Sequence, residues 1–273
     1  TKELVVEKER VEKANELLHE KNRDITDSIT YAKRIQNEVL QQTENMFKEL
    51  NLFVLFKPRD IVSGDFYWYY STPKYNYVAV VDCTGHGVPG AFMSLLGSTY
   101  IDQVMIENKE PLPSEVLTQL DNKIYAAFKQ NNPDNKIGDG MDMCICRVTK
   151  DKKEITIASA NRPIYYFTNG ELKETKANVF SIGGYFDGSD KVYTEITYQI
   201  NKGDSFYMFS DGYGDQFGGE KNRRFSTKRM KQIFSSMQNS NIDEQRRVLD
   251  KEFEDWKGEN EQIDDVCVIG IKF

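Results

Sequence analysis

Nine short runs between residues 52 and 273 constrain the fold of this chain more than any other feature. They are "LFVLF", "DFYWYY", "YNYVAVV", "MDMCICRV", "EITIAS", "PIYYFT", "YTEITYQI", "DSFYMFS" and "DVCVIGIKF", all rich in β-branched and aromatic residues. Runs this short are too brief for buried helices and read as strands. The helical stretches come in pairs, roughly 90–107 with 113–130 and 226–238 with 242–257. Consecutive strands followed by paired helices predict an α+β fold of mainly antiparallel sheets covered by helices, not a repeating βαβ unit. "TNGEL" is a hairpin turn by its Asn-Gly pair. "PDNKIGDG" and "SIGGYFDGSD" are the clearest loops.

Residues 1–45 follow another rule. They contain no glycine or proline, and Leu4, Val11, Leu18, Ile25, Ala32 and Val39 recur at seven-residue spacing, a stripe suited to a two-helix seam. The companion positions are mixed: Ala14, Ser28 and Ile35 suit a seam, whereas Glu7, Lys21 and Gln42 do not. Two readings follow, a parallel coiled-coil dimer or an amphipathic helix lying back on its own domain. "NRDITDSIT" offers N-caps at Asp24, Thr26 and Asp27 for a second helix. The division expected is a helical dimerisation and signalling linker at 1–45 and one domain at 46–273.

A net charge of -7 argues against nucleic acid as partner. The four cysteines, Cys83, Cys144, Cys146 and Cys267, are too irregularly spaced for a disulfide framework, which points to the cytoplasm. No apolar run approaches the roughly 20 residues of a membrane span, so no membrane contact is expected of this stretch. The chain opens on Thr, which leaves room for an anchor or sensor upstream.

The acidic residues sit at strand ends. Asp65 opens "DFYWYY", Asp82 follows "YVAVV", Asp211 follows "SFYMFS", and Asp264 and Asp265 precede "VCVIGIKF". A single aspartate there is ordinary turn chemistry. If the strands are neighbours, the carboxylates converge, and uncompensated carboxylates require cations to share a site. Oxygen donors without a histidine cluster select Mg²⁺ or Mn²⁺. Two such ions activate a water and stabilise an in-line displacement at phosphorus, so phosphoester hydrolysis is the leading chemistry. Competing motifs fail: the arginine of a cysteine-phosphatase loop is missing after Cys83, no Gly-x-Ser-x-Gly elbow occurs, and "GHGVPGAF" lacks the lysine of a P-loop.

In order, "SGDFYW", "VVDCTGHGVPGAFMSLL", "GMDMCIC", "SDGYGDQ" and "DDVCV" resemble the SpoIIE/RsbU branch of the PPM, or protein phosphatase 2C-like, serine/threonine phosphatases. The resemblance runs from about residue 50 to the C-terminus. It implies an α-β-β-α sandwich with two Mn²⁺ or Mg²⁺ ions, a third being left open, and phosphoserine or phosphothreonine on a protein as substrate. In many relatives that protein is an anti-sigma-factor antagonist, and a helical arm dimerises the phosphatase beneath a sensor. Asp82 matches the aspartate bridging both ions, with the backbone carbonyl of Cys83 on one of them. Asp211 and Asp264 match further ligands, and Asp65 the acidic position of the first motif. Asp265 is a ligand or a cap of its junction, and Asp142 an accessory ligand or a strand-edge residue. His86 is a general acid for the leaving oxygen or a brace for the glycine loop. Arg59 and Arg162 are candidate phosphate clamps, with solvated surface as the alternative for each. "SIGG" matches a flap beside the site, and the helix pair after "GHGVPG" the switch helices through which an arm would set Asp82 and Asp65. The alternative to an enzyme is a catalytically silent phosphoprotein-binding or dimerisation module on the same fold. Loss of Asp82, Asp211 or Asp264 would mark it, and all three are kept.

Overall fold

In the computed structural model, residues 2–40, 44–129, 138–184 and 191–273 are described. Parts of both expected loops, 133–137 and 185–190, lie outside them, as do Gln42 of the arm and residue 130 of the second predicted helix. The chain opens with α1 (Lys2–Leu40) and α2 (Glu44–Glu49), then β1 (Leu52–Lys57), β2 (Phe66–Ser71) and β3 (Tyr75–Cys83). A helix pair follows, α3 (Gly87–Glu107) and α4 (Pro113–Lys129). Next come β4 (Met141–Thr149), β5 (Glu154–Ala160), β6 (Tyr165–Thr168), β7 (Glu171–Glu174), β8 (Glu195–Gln199) and β9 (Ser205–Phe209). The short α5 (Gly212–Asp215) and the ribbon of β10 (Phe217–Gly218) and β11 (Arg223–Arg224) precede α6 (Thr227–Ser236), α7 (Ile242–Lys257) and β12 (Val266–Lys272).

All nine expected strands form. They pair antiparallel in two five-stranded sheets, one in the order β1-β12-β9-β6-β7 and the other β2-β3-β4-β5-β8. β7 is the return strand of the Asn-Gly hairpin; Asn169 and Gly170 both take positive φ, 51° and 82°, the geometry that a two-residue turn of the right twist requires.

Alternation decides what each strand face meets. Val78 and Val80 of β3, Cys144 and Cys146 of β4, Phe206 and Met208 of β9, and Cys267, Ile269 and Ile271 of β12 fill the space between the sheets. The opposite residues of β3, Tyr77, Ala79 and Val81, pack under α3 and α4. Tyr207 and Phe209 of β9 and Val266 and Val268 of β12 pack under α6 and α7 with Phe234, Leu249 and Phe253. Four layers, α-β-β-α, result. Each fully buried aliphatic or aromatic side chain contributes roughly 1.5–3 kcal/mol, so the three clusters hold the layers in register.

Over Lys2–Leu40 the arm is one unbroken helix, with no second start at residues 24–27. Thr26, Ser28 and Thr30 return their hydroxyls to the carbonyls of Asn22, Asp24 and Thr26, four residues back, so they act as mid-helix residues instead of caps. Leu4, Val11, Leu18 and Ile25 stand 50–71 % exposed. The last turns do lie back on the domain. Gln36 is buried; its Nε2 donates to Ser63 O and Ser94 Oγ, and its Oε1 accepts from Ser63 N. The arm thus touches both the loop before Asp65 and helix α3.

Candidate metal centre

The alternation that builds the core also aims the carboxylates. Counting by two from Val78 and Val80 turns Asp82 inward between the sheets. The same count from Cys144 gives Asp142, from Tyr67 gives Asp65, and from Cys267 gives Asp265. Cys83 has the opposite parity: its side chain packs on the helix side, leaving its backbone toward the cleft.

Register sets Asp82 directly across from Asp142 on the β3–β4 ladder. Like charges so placed repel. Asp211, at the end of β9 in the other sheet, closes the group, its backbone N–H donating to Asp82 Oδ2 at 3.2 Å. The cation at their centre is Arg162, from the turn between β5 and β6. Its Nη2 lies 2.6 Å from Asp211 Oδ2, 3.0 Å from Asp82 Oδ2 and 3.0 Å from Asp142 Oδ2. Burial opposes the Arg162 charge, and the three carboxylates outweigh it and hold the guanidinium protonated.

Burial, followed by the charge of Asp211, pushes Asp82 up to about 7 against the pull of Arg162. Asp65 is held well above the usual carboxylate range, by burial first and then by the charge of Asp82. Its Oδ2 is buried without a hydrogen-bond partner. Asp264 is raised too, by burial above all. These carboxylates crowd together at a cost that a cation of higher charge would relieve.

Asp82, Asp211, Asp264, His86 and Arg162 line one cleft of about 390 Å³, with the Cys83 backbone, Thr84, Asp142 and Ser181. Asp65 stands behind its wall, 3 % exposed. Asp265 points inward but is absent from the cleft lining and holds a loop: its Oδ1 accepts from Arg59 N and its Oδ2 from Gly64 N. Arg59 donates Nη1 to the Ile263 carbonyl and is absent from the cleft lining, whereas Arg162 enters the cleft with Nη2 on carboxylates. Asp142 is held by Ser181 Oγ on Oδ1 and by Asn161 Nδ2 on Oδ2. His86 Nδ1 lies 3.1 Å from Asp60 Oδ2, and the ring is half exposed at the start of α3. The glycines admit close backbone approach. A Cβ on Gly90 would stand 2.3 Å from Gly85 O, and one on Gly64 2.5 Å from the same atom.

Asp60, Thr84 and Asn161 are site residues that motif reading passes over. Asn161 carried a signal, since it adjoins Arg162 in "SANRPI" and adopts φ 58°, which asparagine tolerates better than most residues. Asp60 carried none, because its meeting with His86 spans separate elements.

Among the described residues, no three Asp, Glu, His or Cys side chains stand as a closed ligand set. The carboxylate oxygens lie 2.6–3.0 Å from Arg162 Nη2, wider than the about 2.0–2.1 Å of Mg²⁺–oxygen bonds. The donor set still fits a hard divalent ion. It offers carboxylate oxygens from both sheets, a strand-end carbonyl and one orphaned buried oxygen, Asp65 Oδ2.

A family profile described as Stage II sporulation protein E (SpoIIE) matches residues 72–273. The chain belongs to the SpoIIE family. The chain is 24% identical over 194 residues to phosphoserine phosphatase RsbU of Bacillus subtilis (strain 168), covering 69% of this chain and 54% of that protein. The chain therefore spans about half the length of that relative. The SiaA-PP2C domain of Pseudomonas aeruginosa superposes with a TM-score of 0.82 at 29% identity, covering 92% of this chain and 98% of that one. The catalytic domain of the serine/threonine protein phosphatase PstP, solved with 2 manganese ions, superposes at 0.53 and 16% identity over 82% of this chain and 97% of that one. The fold of this SpoIIE-family chain is that of the PP2C phosphatases, as its motifs imply.

Proposed function

We propose that this chain is a metal-dependent protein serine/threonine phosphatase, the output domain of a signalling protein. The observation that carries the reading is the meeting of Asp82, Asp142 and Asp211, from two sheets, on one cation position at the floor of an open cleft. Asp82, Asp211, Asp264, Asp65 and the Cys83 carbonyl are the groups that would hold two Mn²⁺ or Mg²⁺ ions. Bound there, such ions supply an activated water and neutralise charge at phosphorus.

The chain's own residues do the rest. Asp142, braced by Ser181 and Asn161, keeps the floor of the cleft in shape. His86 stands at the rim with Asp60 orienting its ring, placed to hand a proton to a departing serine oxygen. Arg162 is the guanidinium within reach of a phosphate; Arg59, tied to Ile263, supports the loop instead. The substrate class is a phosphorylated protein, and the RsbU likeness favours an anti-sigma-factor antagonist. The exposed seven-residue stripe of α1 supports a homodimer through the arm, with a sensor upstream in the cytoplasmic or membrane-anchored parent. Through Gln36, arm geometry would reach Ser63 and Ser94, and so Asp65 and α3.

The deciding experiment is Mn²⁺-dependent hydrolysis of p-nitrophenyl phosphate and of a phosphoserine protein by wild type and Asp211→Asn. Activity that needs Mn²⁺ and falls on the order of 100-fold or more in Asp211→Asn is expected. Wild type inactive at full metal occupancy would sink the enzyme reading in favour of the silent module.

A further inference from the structure

We infer that Arg162 is a built-in counter-cation of the carboxylate centre, which a divalent ion must displace in order to bind. The inference rests on the metal-dependent reading above.

Three observations carry it. First, one nitrogen, Nη2, contacts three carboxylates, and through the Oδ2 atoms that face the cleft. An ion held at the point between these carboxylates would overlap Nη2, because one position cannot take both cations. Second, the guanidinium is held on one side only. Its contacts with the carboxylates all run through Nη2, and Nε is buried without a partner, so no bidentate fork locks the side chain down. Third, the backbone is fixed while the side chain has an exit. Asn161 is pinned by its bond to Asp142, the Arg162 carbonyl accepts from Cys144 Sγ, and the Arg162 side chain is 20% exposed at the cleft. A charge of two at short range outcompetes a charge of one at hydrogen-bond range, so loading exchanges one cation for another.

Mn²⁺ binding is read without substrate, from the electron paramagnetic resonance signal of free Mn²⁺. Arg162→Gln removes the competing charge and is expected to bind Mn²⁺ tighter than wild type by roughly 5- to 150-fold. Unchanged or weaker binding overturns the inference. A second measurement uses wild type alone: phenylglyoxal labelling of Arg162, followed by peptide mass spectrometry, should be faster in Mn²⁺ than in EDTA. An equal or slower rate overturns displacement, and also separates it from plain charge repulsion, which leaves the side chain where it is. This arm decides the matter even where Arg162→Gln does not fold. Wild type that binds no Mn²⁺ at all overturns both this inference and the metal-dependent reading. Intact Mn²⁺ binding with unaltered Arg162 reactivity removes this inference only.

Discussion

Asp264 and Asp265 are neighbours of the same type with opposite work. Asp265 is 2 % exposed and accepts from two backbone donors, Arg59 N and Gly64 N, whereas Asp264 lines the cleft and its Oδ1 accepts from Asp265 N. Asp265→Ala would orphan both donors at about 1–3 kcal/mol each. It should lower the melting temperature in EDTA, by roughly 2–4 °C per kcal/mol in a domain of this size. Asp264→Asn keeps an acceptor for Asp265 N and should melt in EDTA near wild type; if Asp264 is a metal ligand as proposed, it should also show less stabilisation by added Mn²⁺ than wild type. Equal melting of the two variants under both conditions would show that the roles are not divided this way. From the sequence the pair was legible as acidic and placed at a strand start, with Asp265 open between ligand and cap. Parity separates them, since Asp265 continues the inward series of Cys267 and Ile269, while Asp264 precedes the strand and is free to turn into the cleft.

At the scale of elements, α1 meets the domain beside the loop before Asp65 and helix α3. Gln36 is the buried polar residue there, with bonds to Ser63 at both N and O and to Ser94 Oγ. Gln36→Ala leaves the Ser63 N–H without its partner and is expected to cost about 1–3 kcal/mol. Amide hydrogen exchange should rise in residues 34–40 and 61–65 and stay unchanged in β9 and β12. A uniform rise across the domain would mean that the contact is global scaffolding, not a local joint. The strands, the helix pairs and the Asn-Gly hairpin were all legible as elements, because periods of 2 and 3.6 and turn chemistry are local. The unbroken arm was not: Asp24, Thr26 and Asp27 are good caps, but capping propensity is worth little beside continuous helical hydrogen bonding. The ribbon β10–β11 and the single turn α5 were also invisible, being two and four residues long.

At the scale of the molecule, the arm leaves Leu4, Val11, Leu18 and Ile25 uncovered while its last turns dock on the domain. If a second copy covers that stripe, Leu18→Glu with Ile25→Glu should convert a dimer to a monomer by sedimentation velocity, with the domain's melting temperature unchanged. A wild-type monomer at high micromolar concentration would remove the pairing. The sequence by itself determined the nine strands, the helix pairs and the presence of carboxylates at strand ends, because each follows from neighbours a few residues apart. Only the tertiary structure decided that β12 lies between β1 and β9, that Asp82 faces Asp142, and that Arg162 stands among three carboxylates. Those outcomes depend on strand pairing and sheet stacking between segments far apart in the chain, where burial of the whole core chooses the partners and no local pattern records the choice.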